Sequence, residues 1–68
     1  MRDVNRLDRF YETLKDYHKY YLPDWRFGQL VINFLTWHLS KYGTDGFFVE
    51  EDEMLKRFCE FIDYAARV

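Results

Sequence analysis

The chain has 68 residues, of which 49% are hydrophobic and 22% aromatic, with a formal charge of −2 and an isoelectric point near 5.6. That length makes one domain over residues 1–68, near the size at which folding buries only about 60% of the unfolded surface. The acidic balance argues against a protein that binds nucleic acid by blanket electrostatics, and the apolar content exceeds what so small a core hides, which points to a second copy or a partner.

The opening run MRDVNRLDRF lacks the apolar stretch of a signal peptide, and the single cysteine, Cys59, has no internal disulfide partner. A cytoplasmic location is expected. The longest charge-free stretch, Phe27 to Ser40, is too short to span a bilayer and carries Gln29, Asn33 and His38.

Three helices are expected, near residues 3–21, 24–42 and 50–66, giving an all-α, compact three-helix arrangement. In the first, Val4, Leu7, Phe10, Tyr11, Leu14, Tyr17, His18 and Tyr21 share one face, and Asn5 with Asp8 suits an N-terminal cap. Pro23 disfavours helical geometry at Leu22 and suits the first turn of the next helix, so the first two helices are expected to be neighbours. Wound at 100° per residue, the second carries Phe27, Leu30, Val31, Phe34, Leu35, Trp37, His38, Leu39 and Tyr42 over more than half of its circumference. That arc calls for a neighbour on each side, and hence a central helix. Gly43 is its expected C-terminal cap and Thr44-Asp45-Gly46 a turn. A short extended segment, Phe47-Phe48-Val49, then plugs one end of the bundle with its two rings. Glu50 to Glu53 open the last helix at the positive end of its dipole, and Met54, Leu55, Phe58, Cys59, Phe61, Ile62, Ala65 and Ala66 form its apolar face.

The run Pro23-Asp24-Trp25-Arg26-Phe27-Gly28-Gln29-Leu30, with Asn33 three residues on, resembles the core motif of small uncharacterised bacterial and phage proteins. The run Phe47-Phe48-Val49-Glu50-Glu51-Asp52-Glu53 is similar to their second motif, an aromatic pair followed by acids that open the last helix. The resemblance implies a compact helical unit and carriage by a phage or mobile element. It implies no activity and no catalytic residue.

No catalytic, metal or cofactor site is expected. The chain has no Gly-rich phosphate loop, HExxH, CxxC or GxSxG, and the acids at 50–53 lack the glycine turn of a calcium loop. His18 and His38 lie within apolar faces, where a histidine commonly makes one hydrogen bond to a carbonyl or tyrosine. Cys59, on the apolar face of the last helix, reads as buried packing. The candidate interaction residues are the uncovered polar seam of the second helix: Arg26, Gln29, Asn33, Thr36 and Ser40. Such a seam suits a dimer contact or an internal hydrogen-bonding row, with Arg26 expected to pair with a carboxylate such as one of the 50–53 run.

The function expected is a non-enzymatic protein–protein interaction module, a homo-oligomer and most simply a homodimer, encoded by a phage or mobile element. By analogy, its partner is a host defence protein that it inhibits. The alternative is a small helix-turn-helix-like DNA-binding regulator reading bases through the seam, although the second helix offers few cations for phosphates. A third reading is a module holding a small ligand in a pocket lined by Tyr and Trp.

Overall fold

The computed structural model describes residues 3 to 66; the ends of the expected domain, residues 1, 2, 67 and 68, lie outside them. Three α-helices follow in order: α1 (Arg6–Tyr21), α2 (Phe27–Tyr42) and α3 (Glu51–Ala66). The fold is all-α and compact, with no strand among the described residues. None of these helices is long and apolar enough to cross a membrane.

Each helix begins later than its sequence pattern suggests. α1 starts at Arg6 rather than residue 3, because backbone turns from Asp3, Val4 and Asn5 precede it. Asn5 occupies the cap position without a capping bond from its side chain; its own N–H donates to the Asp3 carboxylate at 3.0 Å. α2 starts at Phe27 rather than residue 24. Pro23 does keep Leu22 out of the helix (φ −135°, ψ 50°), but Pro23, Asp24 and Trp25 then form a turn closed by Trp25 N–H on the Leu22 carbonyl. Tertiary contacts hold that turn against the local preference of proline for a helix start. The Trp25 indole meets Phe61 edge-on at 6.0 Å, and its carbonyl accepts from His18 Nε2 at 2.6 Å. α3 starts at Glu51, one residue later than expected, with Met54 N–H on the Glu50 carbonyl. Gly43 ends α2 in the left-handed region (φ 73°), its N–H on the Leu39 carbonyl at 2.9 Å, as the sequence pattern implies.

The packing order differs from the chain order. α1 and α2 both lie against α3 and make only marginal contact with each other. α3 is therefore the middle helix, and α2, expected at the centre, flanks it. The reason lies in α3: Leu55, Phe58, Phe61 and Ile62 are all buried, and together they span an arc of about 120°, wide enough for a neighbour on either side. In α2 only Leu30, Phe34 and His38 are buried, a single i, i+4, i+8 stripe. α1 buries no residue fully and packs its Phe10, Leu14 and Tyr17 partly into the core.

The core is aromatic. Phe34 stacks on Phe58 with ring centroids 3.7 Å apart and planes 9° from parallel, while Phe61 presents its edge to Phe34 at 5.6 Å and 82°. Trp37 packs on Phe61 at 5.6 Å. Phe34 is 2% exposed, so replacing it by alanine empties the contact between α2 and α3. Phe34→Ala is expected to cost about 3–5 kcal/mol, enough to unfold most of a small domain, and thermal melting followed by circular dichroism measures it.

Candidate functional site

The structure divides the polar seam in two. Arg26, Gln29, Asn33, Thr36 and Ser40 are all exposed, but the first two serve the start of α2. The Gln29 side chain accepts the Arg26 backbone N–H at 2.8 Å, one half of a capping box. Arg26 makes no ion pair among the described residues, since the acids expected to meet it pair elsewhere. Glu51 takes Arg6 at 2.7 Å, Asp52 faces Arg9 at 3.6 Å, and Glu53 takes Arg57 at 3.2 Å.

Asn33, Thr36 and Ser40 form one wall of an open groove of about 670 Å³ between α2 and α3, with Trp25, Trp37, Phe61 and Tyr64 as its aromatic surface and Lys41 at one side. Thr36 donates to the Ile32 carbonyl of its own helix at 2.9 Å. Asn33 and Ser40 make no side-chain hydrogen bond among the described residues. The groove thus combines four rings with two free polar side chains, and no residue in it has the pairing of a nucleophile with a base.

Beyond the groove a polar latch ties α2 to α3. His38 is fully buried between the rings of Phe34 and Tyr42. Its Nδ1 lies 2.6 Å from the Thr44 carbonyl, which only accepts, and its Nε2 lies 2.9 Å from Arg57 Nη1, which only donates. The ring is therefore neutral with its proton on Nδ1. The expected carbonyl partner is present, and the guanidinium is an addition that no local spacing reveals. Arg57 also lies over the Tyr42 ring at 4.0 Å. Tyr42 donates its hydroxyl to Glu60, and Lys41 pairs with the same carboxylate at 2.7 Å. Gly46 closes the latch from the loop: its φ is +88°, and a Cβ there would stand 3.1 Å from Met54 Cε and 3.3 Å from His38 Cε1.

Two expectations for the remaining residues need correction. Cys59 is exposed, because its position on α3 falls at the edge of the strip covered by α1, beside Tyr17; burial, with the Cys59 thiol second, pushes the Tyr17 phenol up. Phe47 and Phe48 do not plug the bundle, and Phe47-Phe48-Val49 is not an extended segment. The two phenylalanines sit in a turn, 81% and 89% exposed, with their rings edge to face at 4.9 Å. The turn is set by Val49 N–H on the Gly46 carbonyl at 3.0 Å and by the Asp45 carboxylate accepting Phe47 N–H at 2.9 Å. Asp45 and Gly46 were legible as turn formers, but the turn runs two residues further and carries the rings outward.

Removing the buried ring of the latch tests its structural weight. His38→Ala is expected to cost about 2–4 kcal/mol through the cavity and the stranded Thr44 carbonyl, read by urea unfolding. The latch also has a pH signature. Hydrogen bonds from Lys41 and then Tyr42 hold the Glu60 carboxyl below its ordinary 4.5. The bond to Glu60 holds the Lys41 amine above 10.5 and the Tyr42 phenol above 10.0. A lowered acid stabilises above 4.5 and loses its effect as pH falls through the lowered value; the raised groups stabilise below 10.0 and lose theirs as pH rises through the raised values. The difference in melting temperature between the wild type and Glu60→Gln is therefore expected to be constant between those limits and to shrink beyond each. No protein-family model, curated protein or solved structure matches the chain.

Proposed function

We propose that this chain is a non-enzymatic protein-binding module whose anchor is the Phe47–Phe48 turn. The observation that carries the reading is the exposure of two adjacent phenylalanines, 81% and 89%, on a turn whose backbone is fixed by Asp45, Gly46 and Val49. Leaving two such rings in water gains nothing for folding. Aromatic side chains on a rigid support are the usual anchors of a protein interface, because burying them in a partner's pocket costs little ordering. Both histidines have structural partners, His38 in the latch and His18 on the Trp25 carbonyl.

The resemblance of the 23–30 and 47–53 runs to small bacterial and phage proteins extends the reading to carriage by a phage or mobile element. A host defence protein is then the class of partner, inhibited by occlusion of an apolar pocket. The DNA-regulator reading gains little from the seam, where Arg26 and Gln29 serve the helix cap and α1 and α2 are not packed together as a helix-turn-helix requires. The groove favours a second reading, a small aromatic ligand or peptide segment held between Trp25, Trp37 and Tyr64 with Asn33 and Ser40 as hydrogen-bonding partners.

The experiment is affinity capture from extracts of the native host with the wild type and with a chain carrying both Phe47→Ser and Phe48→Ser. The double variant is expected to keep its stability within about 0.5 kcal/mol, as exposed substitutions do, and to lose the captured protein. Undiminished capture by the double variant would overturn the assignment of the anchor.

A further inference from the structure

The face of α2 turned away from α3 carries a second apolar surface. Ile32, Leu35 and Leu39 are 66%, 40% and 56% exposed, and Gly28 is exposed beside them. The four positions follow one another at i, i+4, i+7 and i+11, within about 60° of arc and about 130° round the helix from the buried Leu30–Phe34–His38 stripe. This spacing is that of a helix seam made for another helix. Gly28 has no role inside the chain: its φ is not positive and a Cβ there would meet nothing within 4 Å, although glycine in the first turn weakens a helix.

We propose that this stripe is the contact of a twofold homodimer in which α2 packs antiparallel on α2 of a second copy, with Gly28 opposite the partner copy's Leu39 and Ile32 opposite its Leu35. The spacing 4, 3, 4 reads the same in both directions, so a twofold axis through its midpoint matches every position with another of the stripe, as an isologous contact demands. In that register the bare glycine receives the leucine, and two branched side chains of similar size meet at the centre. A parallel pair would set glycine on glycine, leaving a gap at one end, and would bring like dipole ends side by side. Charge agrees as well: α2 has no Asp, Glu, Lys or Arg from Phe27 through Ser40, so a second copy meets no like charge along the stripe, and antiparallel helices bring opposite dipole ends together. With the flanking Val31 and Thr36 the stripe offers roughly 500 Å² per chain, about 1,000 Å² for the pair, the low end for a specific interface. An interface of that size belongs with weak, reversible pairs. This inference deepens the protein-binding reading by adding a surface for the chain itself, separate from the Phe47–Phe48 turn.

The test is sedimentation equilibrium of the full chain from about 1 µM to 1 mM, bracketing the affinity expected of so small an interface. The wild type is expected to pass from one chain to two across that range. Leu35→Glu is expected to stay monomeric with unchanged helix content. Gly28→Leu, which fills the recess yet suits an isolated helix better than glycine, is expected to be monomeric with a melting temperature no lower than the wild type. Ile32→Lys combined with Leu35→Glu in one chain sets opposite charges across the axis in the antiparallel register alone, and is expected to restore the dimer. A wild type of single-chain mass throughout, a dimer indifferent to both Leu35→Glu and Gly28→Leu, or a combined variant that stays monomeric would each overturn the proposal. Single-chain mass together with Phe47–Phe48-dependent capture would remove this inference and leave the protein-binding reading standing.

Discussion

The contact on which the structure depends is the flat stack of Phe34 on Phe58, 3.7 Å between centroids. It joins the one fully buried stripe of α2 to the middle of α3, and the edge of Phe61 closes over it. Stacked and edge-on rings in a dry core contribute through both area and ring geometry, which is how a chain of this size gains enough from a few side chains to fold. α1 adds the half-buried Phe10, Leu14 and Tyr17 to the other side of α3, together with the Arg6–Glu51 ion pair. The domain is thus α3 with a neighbour on either side, α1 in the closer backbone contact and α2 joined through the larger buried rings.

The polar latch sits at the open end of the α2–α3 pair. His38 is the buried polar side chain of the core, and both ring nitrogens are satisfied, so it costs little to bury. In being satisfied it ties three things together: the C-terminal turn of α2, the 43–46 loop through Thr44, and α3 through Arg57. The loop's position over the ring requires glycine at 46, where a Cβ would crowd both His38 and Met54. The Phe47–Phe48 turn follows immediately. Its exposure is therefore held in place by the buried histidine a few residues earlier, and the candidate anchor is a consequence of the latch.

Because α1 and α2 lie on α3 and hardly on each other, apolar side chains that a tighter bundle would cover remain in water. Phe27, Ile32, Leu35 and Leu39 on α2, and Phe47 and Phe48 in the loop, are all exposed. Exposed apolar surface of this extent is what both proposals rest on, and the two surfaces differ in kind. One is a straight helical seam that suits a helix, the other a projecting turn that suits a pocket.

The sequence by itself determined the number of helices, their ends to within about three residues, the left-handed glycine at 43, the acidic opening of α3 and the sheltering of both histidines on apolar faces, while the carbonyls that they meet came from the fold. What the sequence determined follows from local chemistry: periodicity, the geometry of proline and glycine, and the helix dipole. Only the tertiary structure decided which helix stands in the middle, because an apolar arc has the same appearance whether one neighbour covers it or two. The arc on α2 was readable, but whether Leu35 and Leu39 face α1 or water depended on the wider burial of Leu55, Phe58, Phe61 and Ile62 in α3. The seam of Arg26, Gln29, Asn33, Thr36 and Ser40 was legible as uncovered and polar; its division between helix cap and groove wall depended on Trp25 turning out of the helix to reach Phe61. The rings at 47 and 48 point outward for the same kind of reason. Apolar side chains are drawn inward only where the rest of the fold leaves room, and His38, Met54 and Gly46 had already filled that end of the core.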